Sequence, residues 1–344
     1  MSTSPHRVSV IGASGYAGAE LLSLLDRDAR FEVVAAVADR WAGERLDRRL
    51  PTLDRLAGLE VRAMADAVAA SAGAEVALLA TPAEGSLTLA PALLARGVRV
   101  VDLSGAFRLR DAAAYRRWYG AEHTAVELLA EAVYGLPEVA EAHGGELGPG
   151  TRLVANPGCY PTAAVLALAP LLRAGLIEPT VYIDGKSGVT GAGRKVEERL
   201  MFTEIDESVS PYRVGNHQHT PEIEQALGRV AGRPVSVTFT PHLLPLRRGM
   251  LVTAFAALAP GVEAEQVAAA MTTAYQGQRA VRVRSPGDVS IAATALTSLA
   301  VVGAHGDGER RSVVALGSID NLRKGASSQA LQNLCLLTGE NFTP

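Results

Sequence analysis

The chain has 344 residues, enough for two domains, and a formal net charge of −3 at pH 7. This weak acidity gives no reason to expect a nucleic acid or a membrane surface as a partner. The longest apolar stretch, 162–177, is cut by Pro170 and Arg173, so no transmembrane helix is predicted. Two cysteines, Cys159 and Cys335, are too few for a disulfide framework. Together with a polar start that lacks a signal sequence, they favour a cytoplasmic location.

The predicted elements begin with a short apolar strand, 7–11, and a helix over 19–25, joined by a glycine-rich turn. A strand, a glycine turn and a helix in this order are typical of a dinucleotide-binding loop, whose bare N–H groups hold the pyrophosphate. The spacing is G-x-x-G-x-x-G over 12–18 instead of G-x-G-x-x-G. An ordinary turn between strand and helix therefore stays open as the alternative.

The next elements continue an alternation of strands and helices. Strands are predicted at 31–38, 75–80 and 98–103, with a surface helix over 63–74 and a second helix over 84–96. Because this rhythm is that of repeated βαβ units, it predicts a parallel, doubly wound sheet of the Rossmann type.

A basic residue, Arg108, follows the fourth strand in the segment S-G-A-F-R (104–108). Ligands of doubly wound sheets bind at the carboxyl ends of the strands, and a guanidinium there suits a phosphate or a carboxylate. A surface ion pair is the alternative interpretation of this arginine.

The segment A-N-P-G-C-Y-P-T-A (155–163) places Cys159 directly before an apolar helical run, 164–172. A thiol at a helix start lies near unsatisfied N–H groups and the positive end of the helix dipole, which favour the thiolate. The same N–H groups would stabilise an oxyanion formed when the thiolate attacks a carbonyl. The sequence thus predicts a nucleophile, and a small buried core residue is the alternative. A nucleotide loop together with an activated cysteine suggests thioester chemistry coupled to hydride transfer.

The rhythm changes after about residue 156, which predicts an α+β domain with a mixed or antiparallel sheet. The last helix is expected to return to the first domain. We therefore assign 1–155 plus 319–344 to nucleotide binding, and 156–318 to catalysis and oligomerisation. The strands are predicted at 181–184, 235–240, 250–258, 280–284, 298–302 and 312–316, and the helices at 221–227, 264–275 and 327–337.

Two histidines, His217 and His219, lie in the dense polar segment 212–223. In an extended chain, H-x-H places both rings on one face, and Thr220 is predicted to cap the following helix. This arrangement suits a general acid or base, with exposed turn histidines as the alternative. No further cysteine or histidine lies at zinc-ligand spacing, so no metal is expected.

A basic glycine loop, 185–195, lacks P-loop spacing but has polar groups suited to an anionic substrate, and a flexible surface loop is the alternative. Lysine is rare: of 33 basic residues, only Lys186, Lys195 and Lys324 are lysines, and all three lie in glycine-bearing segments. This distribution suggests that a compact ammonium is needed at those positions, unless it is coincidence.

Six ordered motifs between residues 12 and about 332 resemble the N-acetyl-γ-glutamyl-phosphate reductases of arginine biosynthesis. These reductases belong to the wider aspartate-semialdehyde-dehydrogenase-like group. The resemblance implies NADPH-dependent reduction of an acyl phosphate to an aldehyde, with release of inorganic phosphate, by a homodimer or a homotetramer. The motifs are GASGYAGAELL, NPGCYPTA, KSGVTGAGR, HQHTPEI, PHLLPLRRGM and IDNLRKGA.

The resemblance also implies roles for individual residues. Cys159 corresponds to the nucleophile and the H-x-H pair to the acid–base group, for which we favour His219 because it adjoins the helix start. The implied substrate-binding residues are Arg108, Asn156, Ser187, Tyr212 and Glu222, and the implied cofactor-binding residues are Gly12, Ser14, Gly15, Tyr16, Ala17, Gly18, Arg40 and Asn321.

The sequence departs from the family pattern at two instructive places. Family members usually have S-A-D-F-R where this chain has S-G-A-F-R, so a carboxylate is lost at residue 106. Asp39 precedes Arg40 after the second strand; an acidic residue there favours NAD, whereas the arginine and the family favour NADP. We expect NADP with some tolerance of NAD, and Asp39 facing away to pair with Arg40 or Arg45.

Other activities are compatible with the same motifs. Aspartate-semialdehyde dehydrogenase and the lysine-pathway aminoadipyl-phosphate reductase are related acyl-phosphate reductases. The lysine-pathway enzyme usually carries G-C-N-A-T-A where this chain has G-C-Y-P-T-A, which favours the arginine pathway. A non-catalytic nucleotide-binding regulator is an alternative of a different class, against which the intact cysteine and histidines argue.

Overall fold

A computed structural model of the protein describes residues 4–194 and 196–344; Lys195 lies outside them. The strands are β1 His6–Ile11, β2 Phe31–Val37, β3 Val61–Arg62, β4 Val76–Leu79, β5 Arg99–Asp102, β6 Val133–Tyr134, β7 Leu153–Ala155, β8 Ile177–Gly188, β9 Ser210–Pro211, β10 Ser236–Leu244, β11 Met250–Leu258, β12 Val281–Val283, β13 Ala300–Asp307 and β14 Ser312–Ile319. The helices are α1 Tyr16–Asp26, α2 Ala67–Ala70, α3 Ala83–Leu94, α4 Ala112–Tyr119, α5 Glu127–Glu131, α6 Cys159–Arg173, α7 Phe202–Ile205, α8 His219–Ala231, α9 Glu265–Ala274 and α10 Ser328–Thr338.

The chain forms two compact units. The first unit runs to Gly135 and adds Gly145–Pro157 and Ala326–Phe342, which include α10. The second unit comprises Leu136–Gly144 and Gly158–Gly325, with the last two residues of the chain. The polypeptide therefore passes between the units several times, once directly before Cys159.

The first unit is built on a seven-stranded sheet with the order β3-β2-β1-β4-β5-β7-β6, in which every neighbouring pair is parallel. Its central strands are apolar and buried on both faces, as in β4, whose four residues are all inaccessible. Alternate strand residues pack with α1 and α10 on one face and with α3 on the other. This architecture confirms the predicted doubly wound sheet.

One predicted element of the first unit is wrong. The segment 63–74 is not a single helix but a 3₁₀ turn, Met64–Asp66, followed by the short α2. The hydroxyl of the buried Ser71 donates to the carbonyl of Ala67 (2.8 Å) at the end of α2. Such local bonds compete with helix continuation, and they are invisible to a composition count.

The second unit contains a mixed seven-stranded sheet with the order β12-β13-β14-β11-β8-β10-β9. The pairs β8–β10 and β12–β13 are parallel, and the others are antiparallel, as the α+β interpretation predicted. Strand β8 is much longer than predicted because its ladder continues through the glycine-bearing segment 185–188 to pair with β10 and β11. The basic glycine loop is therefore partly strand.

One face of this sheet carries α6, α8 and α9. Helix α6 lies against β11 and β14, and its Ala163 carbonyl approaches the backbone of Gly317. The opposite face carries a row of cross-strand neighbours that are exposed or half-buried. In register across five strands, these are Thr238, Tyr182, Phe255, Val314 and His305.

The described helices include none that is both long and apolar enough to cross a membrane.

Candidate active site

Cys159 is the first residue of α6, a 15-residue helix in which all residues from Tyr160 to Leu172 are buried. Gly158 is the N-cap, with an extended backbone, and its carbonyl accepts both the amide and the hydroxyl of Thr162 at 2.9 and 3.0 Å. The helix thus begins five residues earlier than the predicted apolar run. The half-buried thiol accordingly lies in the first turn, where the helix dipole favours a negative charge.

The turn before the cysteine is fixed by Glu222, which lies one turn into α8. Its Oε1 accepts the N–H of Gly158 at 2.8 Å, and its side chain is fully buried. Because α8 begins at His219, the same helix carries the histidine and the group that holds the cysteine turn.

The two histidines do not lie on an extended chain as predicted. His217 ends a turn and His219 is the first residue of α8, so Thr220 lies inside the helix and Gln218 occupies the N-cap. Within this turn the ring centroids are 4.7 Å apart, and His217 Nδ1 accepts the backbone N–H of His219 at 3.1 Å. This bond requires an unprotonated Nδ1, so the neutral ring carries its hydrogen on Nε2.

His217 is enclosed by aromatic rings. Edge-to-face contacts join it to Tyr160, Tyr212 and Phe239 at centroid distances of 5.3–5.8 Å, and only 4% of the residue is exposed. Burial, with the positive charge of Arg213, lowers the pKa of His217 to about 4. The ring is therefore neutral at physiological pH.

Two phenols adjoin this histidine pair. The hydroxyls of Tyr212 and Tyr160 are 3.3 Å apart, and Tyr160 also donates to the His242 carbonyl at 3.3 Å. Burial raises the pKa of Tyr212 to about 12 and raises that of Tyr160 further, so both remain protonated donors. Ser187 is buried at the end of β8, where its hydroxyl donates to the Gly188 carbonyl at 3.0 Å. Sequence reasoning missed Tyr160, although it directly follows the cysteine.

In the first unit, Arg108 is buried instead of forming a surface ion pair. Its Nε donates to the Asn156 carbonyl at 2.8 Å and its Nη2 to the Leu103 carbonyl at 2.7 Å. The side chain of Asn156 is itself inaccessible. It accepts from Asn333 at 2.9 Å and donates to the Ala326 carbonyl at 3.3 Å, so its amide holds the backbone together.

The predicted nucleotide loop forms a tight turn between β1 and α1. Gly12 has φ +93°, and a side chain there would collide with the Ala80 carbonyl; one at Gly18 would collide with the carbonyl of Gly12. Gly15 caps α1, whose first turn, starting at Tyr16, contains no acidic residue. The N–H groups of this helix start therefore suit an anion such as a pyrophosphate. The Ala17 carbonyl accepts the Ser327 hydroxyl at 2.9 Å, and Ser14, within the turn, is half-buried.

Asp39 and Arg40, which follow β2, have different surroundings. Both Asp39 and Arg40 are exposed, but Oδ1 of Asp39 accepts the backbone N–H of Met64 at 2.7 Å. Asp39 therefore does not pair with Arg40 or Arg45 as expected, but binds the backbone at the start of the 3₁₀ turn Met64–Asp66. Arg45 pairs with Asp47 at 2.6 Å.

Asn321, predicted to contact the nicotinamide, is 3% exposed and bonded within the second unit. Its Oδ1 accepts the Gly249 N–H at 2.8 Å, and its Nδ2 donates to the Thr190 hydroxyl at 3.0 Å. Over residues 4–194 and 196–344, no three histidine, cysteine or acidic side chains are grouped to hold a metal ion.

Comparisons with known proteins identify two regions of the chain. Residues 7–146 match the NAD-binding domain of semialdehyde dehydrogenases, and residues 159–321 match their dimerisation domain. The N-acetyl-γ-glutamyl-phosphate reductase of Symbiobacterium thermophilum is 44% identical over 97% of this chain and 95% of its own. That of Pelotomaculum thermopropionicum is also 44% identical, with the same coverage. Among solved structures, aspartate semialdehyde dehydrogenase II from Vibrio cholerae superposes with a TM-score of 0.74 at 20% identity, covering 98% of this chain and all of its own.

Proposed function

The chain belongs to the semialdehyde dehydrogenase family, among its N-acetyl-γ-glutamyl-phosphate reductases, and from this premise we propose how its residues carry out the reaction. The reaction is the reductive dephosphorylation of N-acetylglutamyl 5-phosphate to the 5-semialdehyde in arginine biosynthesis. The observation that carries the proposal is Cys159 at the start of α6, next to the helix that begins at His219.

The thiolate of Cys159 attacks the acyl carbon, the acyl–phosphate bond breaks, and inorganic phosphate leaves with its electron pair. When bound, the dinucleotide supplies the hydride that reduces the resulting thioester. The backbone N–H groups of Cys159 and Tyr160, at the start of α6, stabilise the oxyanion that forms at the acyl carbon; Pro161 has no N–H, and that of Thr162 donates to the Gly158 carbonyl. His219 protonates this oxygen, and when the thiohemiacetal collapses it takes the proton back as the thiolate leaves.

In this scheme His217 holds the backbone of His219 in place and does not itself transfer a proton. Its Nδ1 binds the His219 backbone N–H, which leaves Nε2–H as a neutral donor toward the substrate. Glu222 holds the Gly158 turn, and we assign Tyr212 and Ser187 to contact with the acyl chain of the substrate. Because their amides are bonded within the protein, we assign Asn156 and Asn321 to the support of the backbone and not to ligand contact.

Arg108 binds the phosphoryl group or a substrate carboxylate in this proposal. Its Nε and Nη2 donate to carbonyls of the first unit, so the guanidinium is held in one orientation. A fixed fork suits a tetrahedral or planar anion better than a mobile point charge does.

NADP is the cofactor we propose, held through the glycine turn 12–18 and Arg40. The residues fit such a group because Asp39, the feature that favours NAD, already accepts from Met64, while Arg40 remains at the surface. An arginine at this position pairs with the 2′-phosphate that distinguishes NADP from NAD.

The protein is proposed to form a homodimer through the open face of the second sheet. Tyr182 and Phe255 are cross-strand neighbours on that face, and 55% and 45% of them are exposed. Clusters of exposed aromatic residues mark interaction surfaces, and this sheet lies within the region that matches the dimerisation domain. Tyr182→Asp should convert the dimer to a monomer in light scattering, and Leu296→Asp, an equally exposed apolar site, is the matched control.

The activity is tested by phosphate-dependent reduction of NADP with N-acetylglutamate semialdehyde, compared with aspartate semialdehyde. We expect turnover with the acetylated substrate only, and none in Cys159→Ala. Preference for aspartate semialdehyde would assign the chain to the related dehydrogenase, and activity in Cys159→Ala would refute the covalent route.

A further inference from the structure

A buried ion pair lies next to the cysteine turn and has no role in the chemistry described above. Lys324 Nζ and Glu138 Oε1 are 2.6 Å apart, and neither side chain is exposed at all. Since both groups are inaccessible, neither is a ligand for the substrate. An ion pair buried in this way gains little net stability over apolar residues of the same size.

Lys324 is connected to the proposed nucleophile through the next residue, Gly325. Lys324 lies in the π-helical turn Arg323–Ser327, and a Cβ added at Gly325 would be 2.8 Å from the Cβ of Cys159. The Gly325 backbone therefore forms the wall against which the cysteine side chain packs. The middle of this turn is held by Asp320, whose carbonyl accepts the Gly325 N–H at 2.9 Å.

Glu138 belongs to the segment Leu136–Gly144, which contacts both α6 and α8. Glu141 forms a two-bond ion pair with Arg173, the last residue of α6 (2.6 Å), and the Ala142 carbonyl accepts Arg229 of α8 at 2.8 Å. The segment thus connects the far ends of the helices that begin with Cys159 and His219, and Glu138 joins it to the turn beside Cys159.

We propose that the Lys324–Glu138 pair positions the nucleophile, by holding the Gly325 backbone against Cys159 so that the thiol has a single orientation at the start of α6. This proposal rests on Cys159 being the nucleophile. It accounts for a lysine in a chain that otherwise prefers arginine, because a thin stem with a compact ammonium fits a fully enclosed site, and a planar fork does not.

The test compares Glu138→Gln and Lys324→Met with Glu141→Gln, which removes the half-exposed ion pair of the same segment. Loss of orientation at the reacting atom should lower kcat by about 10- to 100-fold in the first two variants, with the KM values for acyl phosphate and NADPH within about twofold of the wild type. Glu141→Gln should retain wild-type turnover. Gly325→Ala should give the same loss with the ion pair intact, because its Cβ would displace Cys159 directly. If the single charge variants do not fold, the double variant Glu138→Met with Lys324→Met, which leaves no buried charge unpaired, decides the matter: wild-type kcat in it would overturn the proposal.

Alkylation by iodoacetamide gives a readout independent of turnover. Cys159 should lose reactivity in Glu138→Gln and Gly325→Ala, while the buried Cys335 stays unreactive and so shows that the fold is intact. Unchanged kcat in both charge variants, or an equal loss in Glu141→Gln, would overturn the proposal. If the proposed function itself fails, Cys159→Ala will retain activity, which is a result separate from these.

Discussion

The low pKa of His217 makes a quantitative prediction about stability. The ring titrates near 6.5 when the chain is unfolded but near pH 4 in the folded protein, where it is enclosed by aromatic rings. Between these values the unfolded state binds a proton that the folded state does not. Stability from this residue is therefore complete above pH 6.5 and is lost as the pH falls toward 4. The full loss is about 3 kcal/mol in the free energy of unfolding, at about 1.4 kcal/mol for each unit of pKa difference.

His217→Asn removes this titration and keeps an acceptor for the His219 N–H. Denaturant unfolding of both proteins should show a stability difference that changes with pH, by about 1 kcal/mol at pH 5.5 and about 2.5 kcal/mol at pH 4.5 relative to pH 7.5. The other histidines are present in both proteins and cancel in the comparison. A difference that is constant from pH 7.5 to 4.5 would mean that His217 is not held neutral.

Four further predictions concern the reaction. Cys159 should react with iodoacetamide well below pH 8.5 and far faster than Cys335, whose pKa is raised to about 12 by burial; equal rates measured by peptide mass spectrometry would contradict this. His219→Asn should lower kcat by about 10²- to 10⁴-fold, and a smaller loss than in His217→Asn would reverse our assignment. Arg108→Ala should raise the KM for acyl phosphate, with only partial recovery in Arg108→Lys, and unchanged KM values would remove it from the site. Arg40→Ala should raise the KM for NADPH much more than that for NADH; equal effects on both would refute 2′-phosphate recognition.

The features that the sequence predicted well are those encoded locally. The strand, glycine turn and helix at 7–25 follow from hydrophobic period and glycine spacing, and Cys159 at a helix start follows from its apolar neighbours. The prediction went wrong where glycines and short polar segments suggested loops. Pairing with two neighbouring strands carries β8 through Gly188, and the H-x-H segment is a turn.

Contacts between residues far apart in the chain could not be predicted from the sequence. The bond between Glu222 and the Gly158 amide joins residues 64 positions apart, and Lys324 and Glu138 are 186 apart. Asn156 and Asn321 have the residue type of ligand contacts, but their amides bond to the protein itself. Residue type shows what a side chain is able to bind, but the fold determines which group it does bind. The scarcity of lysine and the motif IDNLRKGA both drew attention to Lys324, but neither indicated its partner, Glu138.

The roles that we propose for the two histidines follow from the charges expected around the cysteine. The dipole of α6 favours a thiolate at Cys159, but the Glu222 carboxylate, bonded to the preceding amide, acts in the opposite direction. A group that accepts the thiol proton and remains nearby as a cation would offset this repulsion. His217 cannot be that group, because burial and Arg213 keep its ring neutral, and its Nδ1 is occupied by the His219 amide. Our proposal therefore gives this role to His219, at the start of the helix that carries Glu222 on its next turn. In the proposed mechanism, a carboxylate at that point fixes the turn through the Gly158 amide and disfavours a thiolate formed without a cationic histidine beside it. The proposal thus ties ionisation of the nucleophile to the residue that later protonates the oxyanion.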